Sequence, residues 1–280
     1  MKHVKVAAAI IQKNNSIFAA QRGYGAFCGG WEFPGGKIEQ GERPKKALLR
    51  EIQEELGITV RINGLFDITE YDYPDFHLTL YCYLCSMIEG EEIKLLEHGS
   101  SKWLTRETLD SVSWLPADIC IIEKLKQRMI LREKYPVISP DTLQAQGGIY
   151  FDKVLQGVQN YSNTVCKWTA DEVIDMVENM WKEKRYKAYY VDCYYFRLDP
   201  SEKEKANACL TQEELDYLML RQDTGLIFPL DHMLLRISAK WNQESLLFST
   251  YYFVGEHPQT WWGDYRMQYI VFENPPKHSI

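Results

Sequence analysis

Three glutamates, Glu51, Glu54 and Glu55, lie close together inside the segment GKIEQGERPKKALLREIQEELGI, which runs from Gly36 to Ile58. At 3.6 residues per turn they fall within an arc of roughly 100° on one helix face, so their carboxylates point together. Like charges gathered in this way need a positive partner. An oxygen-only donor set suits Mg²⁺, with Mn²⁺ as an alternative, completed by water and substrate phosphates. Arg50 stands beside Glu51 and four residues before Glu54, where it can orient a carboxylate through a charge-assisted hydrogen bond. Pro34-Gly35-Gly36 forms a turn whose backbone can approach a metal or a phosphate without a β-carbon in the way. The chemistry implied is metal-assisted pyrophosphate chemistry.

A helix must hold these acids at the edge of a cleft. Leu48, Leu49, Ile52 and Leu56 occupy the arc beside the glutamates and supply a stripe to bury. Pro44 suits a first turn and Gly57 a left-handed stop, which predicts a helix over 44–56. An E-x-x-E-E pattern taken alone also describes a solvated acidic face. The wider set decides between the two, because Gly36, Glu42, Arg50, Glu51, Glu54, Glu55 and Gly57 stand at fixed offsets.

That set matches the Nudix box completely, and the chain resembles a Nudix hydrolase over residues 1–134. It is similar to the MutT-type and CTP-pyrophosphohydrolase-type members through Val4 to Ile11, Ile17 to Arg22, Trp31 to Lys37 and Tyr71 to Tyr81. Glu97-His98, Trp103-Leu104 and the Leu115-Pro116-Ala117-Asp118 run continue the likeness. The resemblance implies an α/β fold, an α/β/α sandwich around a mixed sheet. The implied reaction is hydrolysis of a nucleoside triphosphate to the monophosphate and pyrophosphate, with Mg²⁺ neutralising oxygens as charge shifts.

The same resemblance gives roles to residues. Glu54 and Glu55 match direct metal ligands, Glu51 a ligand or general base, Gly35 a carbonyl ligand, and Glu97 an acidic loop ligand or base. Glu51, Glu54, Arg50 and Glu97 form the implied catalytic set, with Glu51 and Glu97 as rivals for the base. Arg22, Phe33, Lys37, Tyr73, Phe76 and Asp118 are the implied substrate-binding residues. Arg22 matches an arginine that approaches the base, with a sheet-edge salt-bridge partner as the lesser alternative. Asp118 stands where MutT has asparagine. An ionised aspartate is an acceptor only and wants donors on the base, as cytosine or an oxidised guanine offers. The same residue could cap a helix beginning at Ile119. Phe76 replaces an arginine of MutT and removes a polar contact. The expected substrates are 8-oxo-dGTP-like or (d)CTP-like nucleotides.

The chain's 280 residues exceed the usual domain of roughly 100–150 residues. We divide it into a Nudix domain at 1–134, a linker at 135–140 bracketed by Pro136 and Pro140, and an α+β domain at 141–280. A formal charge of −7 disfavours nucleic acid and favours a free nucleoside triphosphate delivered with metal. No apolar run approaches the ~20 residues of a membrane span, and no signal peptide opens the chain, so a cytoplasmic protein without membrane association is expected. Seven scattered cysteines read as reduced thiols. Cys82 and Cys85 on one strand would face opposite sides and pack without zinc.

In the second half the pattern predicts helices at 170–184, capped by Thr169, and at 212–221, opened by a Thr211–Glu214 capping box. Strands are expected at 187–197, 233–241, 246–254 and 265–273 in a mainly antiparallel sheet. Asp231-His232 could be an acid/base pair, although a structural histidine is favoured. Trp261, Trp262, Tyr251, Tyr252 and Tyr265 read as an aromatic core or interface, which leaves ligand binding, homodimerisation and gating open. Two functions from different classes follow: a hydrolase, or a nucleotide-sensing regulator that signals through its second domain. The intact set of box acids favours the hydrolase.

Overall fold

In the computed structural model, β1 (Lys2–Lys13) sends alternate residues to opposite faces of its sheet. The structure describes residues 1–25, 27–223, 225–264 and 267–275. It divides into two units, Met1–Ile130 and Leu131–Ile280.

The first unit continues with β2 (Ser16–Gln21), β3 (Trp31–Glu32), β4 (Gly35–Lys37), α1 (Pro44–Leu56), β5 (Val60–Asp72), β6 (Phe76–Met87), β7 (Ser100–Leu104) and α2 (Pro116–Lys134). Among the described residues these strands form a seven-stranded sheet with the path β3-β2-β1-β6-β5, where β4 joins β1 and β7 joins β2. The β1–β6 pairing is parallel and the others are antiparallel, so the sheet is mixed, as expected. Ala7, Ala9 and Ile11 pack on Ala47, Leu48, Ile52 and Leu56 of α1. Ala8 and Ile10 pack on Ala117, Ile121, Ile122 and Leu125 of α2. Each face thus carries one helix, and the small alanines let both lie close to the strand.

α1 has the predicted limits, and Gly57 ends it at φ 64°. α2 begins at Pro116 rather than Ile119, because a proline tolerates the first turn, where no amide partner is needed. Asp118 therefore lies inside the first turn and is not the cap. Cys82 and Cys85 are buried on opposite faces of the sheet, and all seven cysteines are free.

The second unit holds α3 (Pro140–Ala145), α4 (Val154–Asn160), β8 (Ser162–Lys167), α5 (Ala170–Lys182), β9 (Ala188–Asp192), α6 (Pro200–Asn207), α7 (Gln212–Arg221), β10 (Ile227–Pro229), α8 (His232–Gln243), β11 (Thr250–Val254), β12 (Gln259–Asp264) and β13 (Gln268–Glu273). Its strands form an antiparallel sheet in the order β10-β9-β11-β12-β13-β8. α5 and α8 cover one face. Leu143, Ile149 and Phe151 pack on the other.

The cap at Thr169 and the capping box at Thr211 form as predicted, and Thr169 with Glu172 makes a capping box too. Three expectations fail. Pro140 opens α3 with Ser139 as its cap, so it does not end an extended connector. The strand expected at 187–197 stops at Asp192 and gives way to a short 3-10 turn at Tyr194–Arg197. Residues 233–241 form helix α8, although Met233, Leu235, Ile237 and Ala239 alternate like a strand. Asp231 caps this helix by accepting from the Leu234 amide at 2.9 Å. Leu234, Ser238 and Trp241 then make a buried helical stripe in which the Ser238 hydroxyl bonds back to the Leu234 carbonyl. Tyr265 lies outside the described residues.

Candidate active site

β4 and α1 meet where two glycines leave room for two carboxylates. Gly35 has φ 145°, and a β-carbon there would lie 2.2 Å from the Ala7 carbonyl oxygen, so only glycine fits. Its amide donates to Glu55 Oε2 at 2.9 Å. At Gly36 a β-carbon would meet the Glu51 carboxyl carbon at 2.2 Å. The Gly35-Gly36 turn is therefore a bed for Glu51 and Glu55. Burial pushes the Glu55 carboxyl up to about 7; His98 and the Gly35 amide oppose the rise, and the Glu32 and Glu51 carboxylates add to it.

Arg50 explains the spacing of the box. Its Nε and Nη2 donate to the two oxygens of Glu42 at 3.2 and 3.0 Å. Its Nη1 donates to Glu51 at 2.8 Å and to Glu54 at 3.2 Å, and Nη2 also reaches the Lys37 carbonyl at 3.1 Å. One guanidinium thus ties the loop after β4 to the acidic face of α1.

Glu32 and His98 complete the cluster. Arg22 forks onto Glu32 at 2.9 and 2.6 Å. His98 Nε2 lies 3.7 Å from Glu32 and 4.0 Å from Glu55. Burial opposes the charged form of both groups. It is outweighed at Glu32 by His98 and Arg22, which lower its pKa, and at His98 by the two carboxylates, which raise it. Among the described residues His98 Nδ1 is buried without a hydrogen-bond partner. Sequence reasoning passed over Glu32 and His98 as members of the site. Their only signal was their place in the Trp31–Lys37 and Glu97-His98 runs.

A family profile described as NUDIX domain matches residues 1–128. The 8-oxo-dGTP diphosphatase of Escherichia coli (strain K12) is 41% identical over 129 residues, which cover 45% of this chain and 99% of that protein. The chain belongs to the Nudix family. The CTP pyrophosphohydrolase of the same organism is 32% identical over 149 residues, covering 49% of this chain and 98% of that protein. The solution structure of the E. coli ORF135 protein is 31% identical with a TM-score of 0.41, over 49% of this chain and 95% of that one.

Within the Nudix domain the other expected residues are spread over an aromatic wall, the core, a salt bridge and the surface. Tyr73 and Phe76 stack at 4.8 Å and 22°, and Phe27 and Tyr71 pack against Tyr73. Phe33 is buried in the same core cluster as Tyr73 and lies 5.0 Å from Trp114. Asp118 is buried, and burial followed by the Glu32 charge holds its carboxyl well above the usual range, against the pull of the Phe33 amide. Arg22 is occupied by Glu32, the salt-bridge role. The Lys37 side chain is exposed at the end of β4. Glu97 is exposed too, and accepts from the Tyr24 hydroxyl at 2.9 Å.

Among the described residues, those expected to act in the second unit assemble no comparable cluster. Asp231 is a helix cap and His232 packs beside Trp181 near Glu178, so the two do not form an acid/base pair. Trp261 and Tyr251 enter one core, whereas Trp262 and Tyr252 lie on the opposite face.

Among the described residues no helix is long and apolar enough to cross a membrane.

Proposed function

We propose that the chain is a Mg²⁺-dependent nucleoside triphosphate pyrophosphohydrolase, releasing a monophosphate and pyrophosphate from 8-oxo-dGTP-like or (d)CTP-like nucleotides. The observation that carries this reading is the convergence of Glu51, Glu54 and Glu55 on one face of α1 against the Gly35-Gly36 turn. The donor set fits Mg²⁺, because it is all oxygen and Arg50 is shared among Glu42, Glu51 and Glu54. Glu51, Glu54, Glu55 and the Gly35 carbonyl are the groups that would hold the ion, with Glu97 as a further candidate from its loop. A bound divalent ion supplies charge neutralisation on the phosphate oxygens and a more acidic water.

The rest falls to the chain's own groups. Arg50 fixes Glu51 and Glu54 against the loop, so their carboxylates need not reorganise during reaction. Glu51 and Glu97 are the candidates for accepting the proton from the attacking water. The Tyr73–Phe76 stack offers an aromatic wall to the base, and Asp118 offers its buried carboxyl to the base edge. We read residues 1–134 as the catalytic domain, 135–140 as its exit and 141–280 as an α+β domain for substrate selection or assembly. A free nucleotide substrate and free thiols support cytoplasmic placement.

The test is release of pyrophosphate by the full chain from dCTP, CTP, 8-oxo-dGTP and dGTP with Mg²⁺. Turnover of at least one, abolished by chelation, is expected. Nucleotide-induced stabilisation without turnover across the panel would instead establish the sensor reading.

A further inference from the structure

At the end of the first unit's sheet, three strands bring nitrogen and oxygen ligands into one patch. Cross-strand register places His3 of β1 beside His77 of β6, and His77 beside Asp72 of β5. The next row on that face pairs Thr79 with Glu70. Strand pleating fixes these side chains on a single face, the one that carries α1 further along β1. His3, Glu70 and His77 each offer a ligand atom within 4.8 Å of the others, and all three residues reach solvent.

The hydrogen bonds orient these groups as a metal site requires. His77 Nδ1 faces Asp72 Oδ1 at 2.6 Å, which leaves Nε2 directed at Glu70 Oε2, 2.8 Å away. A carboxylate on the far nitrogen of a histidine sets the tautomer and raises the basicity of the ligating one. The Thr79 hydroxyl, largely buried, donates to Glu70 at 2.8 Å and lies 2.6 Å from His3 Nε2. It thereby holds the third ligand and the first together. Donors around a tetrahedral ion with ~2.0–2.1 Å bonds lie about 3.4 Å apart. Small rotations of exposed side chains close the patch to that size. A metal would sit between His77 Nε2 and Glu70 Oε2, now 2.8 Å apart.

We propose that His3, His77 and Glu70 form a second cation site, selective for a borderline transition ion such as Zn²⁺, with Asp72 positioning His77 and a solvent molecule completing the coordination. Two imidazoles and one carboxylate suit zinc, nickel or copper and not Mg²⁺, whereas the box acids are all oxygen. The site therefore stands whether or not the box acts as proposed, and it ties β1, β5 and β6 together.

Titrating Zn²⁺ into the full chain in excess Mg²⁺, followed by calorimetry, tests the assignment. Zinc affinity should fall at least tenfold in His77→Gln and roughly 10–100-fold in Asp72→Asn. In Glu54→Gln it should be unchanged. Co²⁺ in place of zinc should give visible ligand-field bands without a thiolate charge-transfer band. All three variants should keep the wild-type far-ultraviolet circular dichroism and zinc-free melting temperature, since the altered side chains are at least partly exposed. Equal zinc affinity of wild type and His77→Gln would overturn the proposal. So would loss of zinc in Glu54→Gln alone, or a cobalt–thiolate band.

Discussion

Glu55, partly buried, and Asp192, buried, are carboxylates whose pKa burial pushes up to about 7, one in each unit of the chain. Their surroundings separate them. Asp192 accepts from the Thr250 amide at 2.6 Å, with the Thr250 and Tyr252 hydroxyls also directed at it. Glu55 has one amide, from Gly35, and lies among Glu32 and Glu51, with His98 Nε2 4.0 Å away. The second unit repeats the satisfied pattern at Glu214, which meets Lys240 at 2.6 Å and the Thr211 amide at 2.8 Å. An elevated pKa therefore does not by itself mark a reacting centre. What marks it is a surplus of like charge held in place by the fold, because only an added cation relieves that surplus.

The difference can be broken at either end. The largest effect is expected for Glu54→Gln, which removes a proposed ligand. Loss of several kcal/mol of transition-state stabilisation corresponds to a fall in kcat of about 10³-fold or more, with unchanged circular dichroism. Unchanged turnover would refute the ligand role.

Asp192 offers the opposite case, where the effect is on stability alone. Its folded pKa, about 7, lies above the ordinary 3.8. Between these values the folded chain holds a proton that the unfolded chain has lost, so stability falls as pH rises from 4 to 7. Integration gives roughly 4 kcal/mol as an upper bound. Asp192→Asn, which keeps an acceptor for Thr250, should flatten this slope in urea-unfolding midpoints measured across that range and leave hydrolysis intact. A slope equal to wild type would assign the pH dependence elsewhere.

Gly36→Ala sharpens the comparison from the backbone side. The new methyl would meet the Glu51 carboxyl at 2.2 Å, so Glu51 must move. A displacement near 1 Å costs about 10²-fold in rate, with little change in melting temperature because the glutamate can swing outward. Wild-type kcat would show that Glu51 need not lie on the turn. The smallest effect is expected for Lys240→Met. It strips the cation from buried Glu214, yet Lys240 is itself about a third exposed and Thr211 remains, so about 1–2 kcal/mol of stability should be lost in urea unfolding, with no change in hydrolysis. A larger loss would mean that the pair is effectively sealed from water.

Local rules were readable wherever a few neighbouring residues set the outcome. Pro44, Gly57, Thr169 and Thr211 fix helix ends through φ preferences and caps, and the structure has those ends. Period alone misled at 233–241, because alternate apolar residues also fit a helix whose single hydroxyl bonds back to its own backbone. The cap at Asp231 was the better signal. Strands β8, β10 and β12 were missed, the first because an exposed edge strand needs no apolar face, the second because it is only three residues long, and the third because its tryptophans point to opposite cores.

By itself the sequence determined the acidic face of α1, its glycine turn and the membership of the box, since these rest on helical periodicity and on backbone freedom at short range. Only the tertiary structure decided that Arg22 belongs to Glu32, that His98 lies near Glu55, that Asp118 is buried, and that His3, Glu70 and His77 share one face. Those facts depend on strand register and on burial, which bring together residues far apart in the chain and are set by the whole packed sheet.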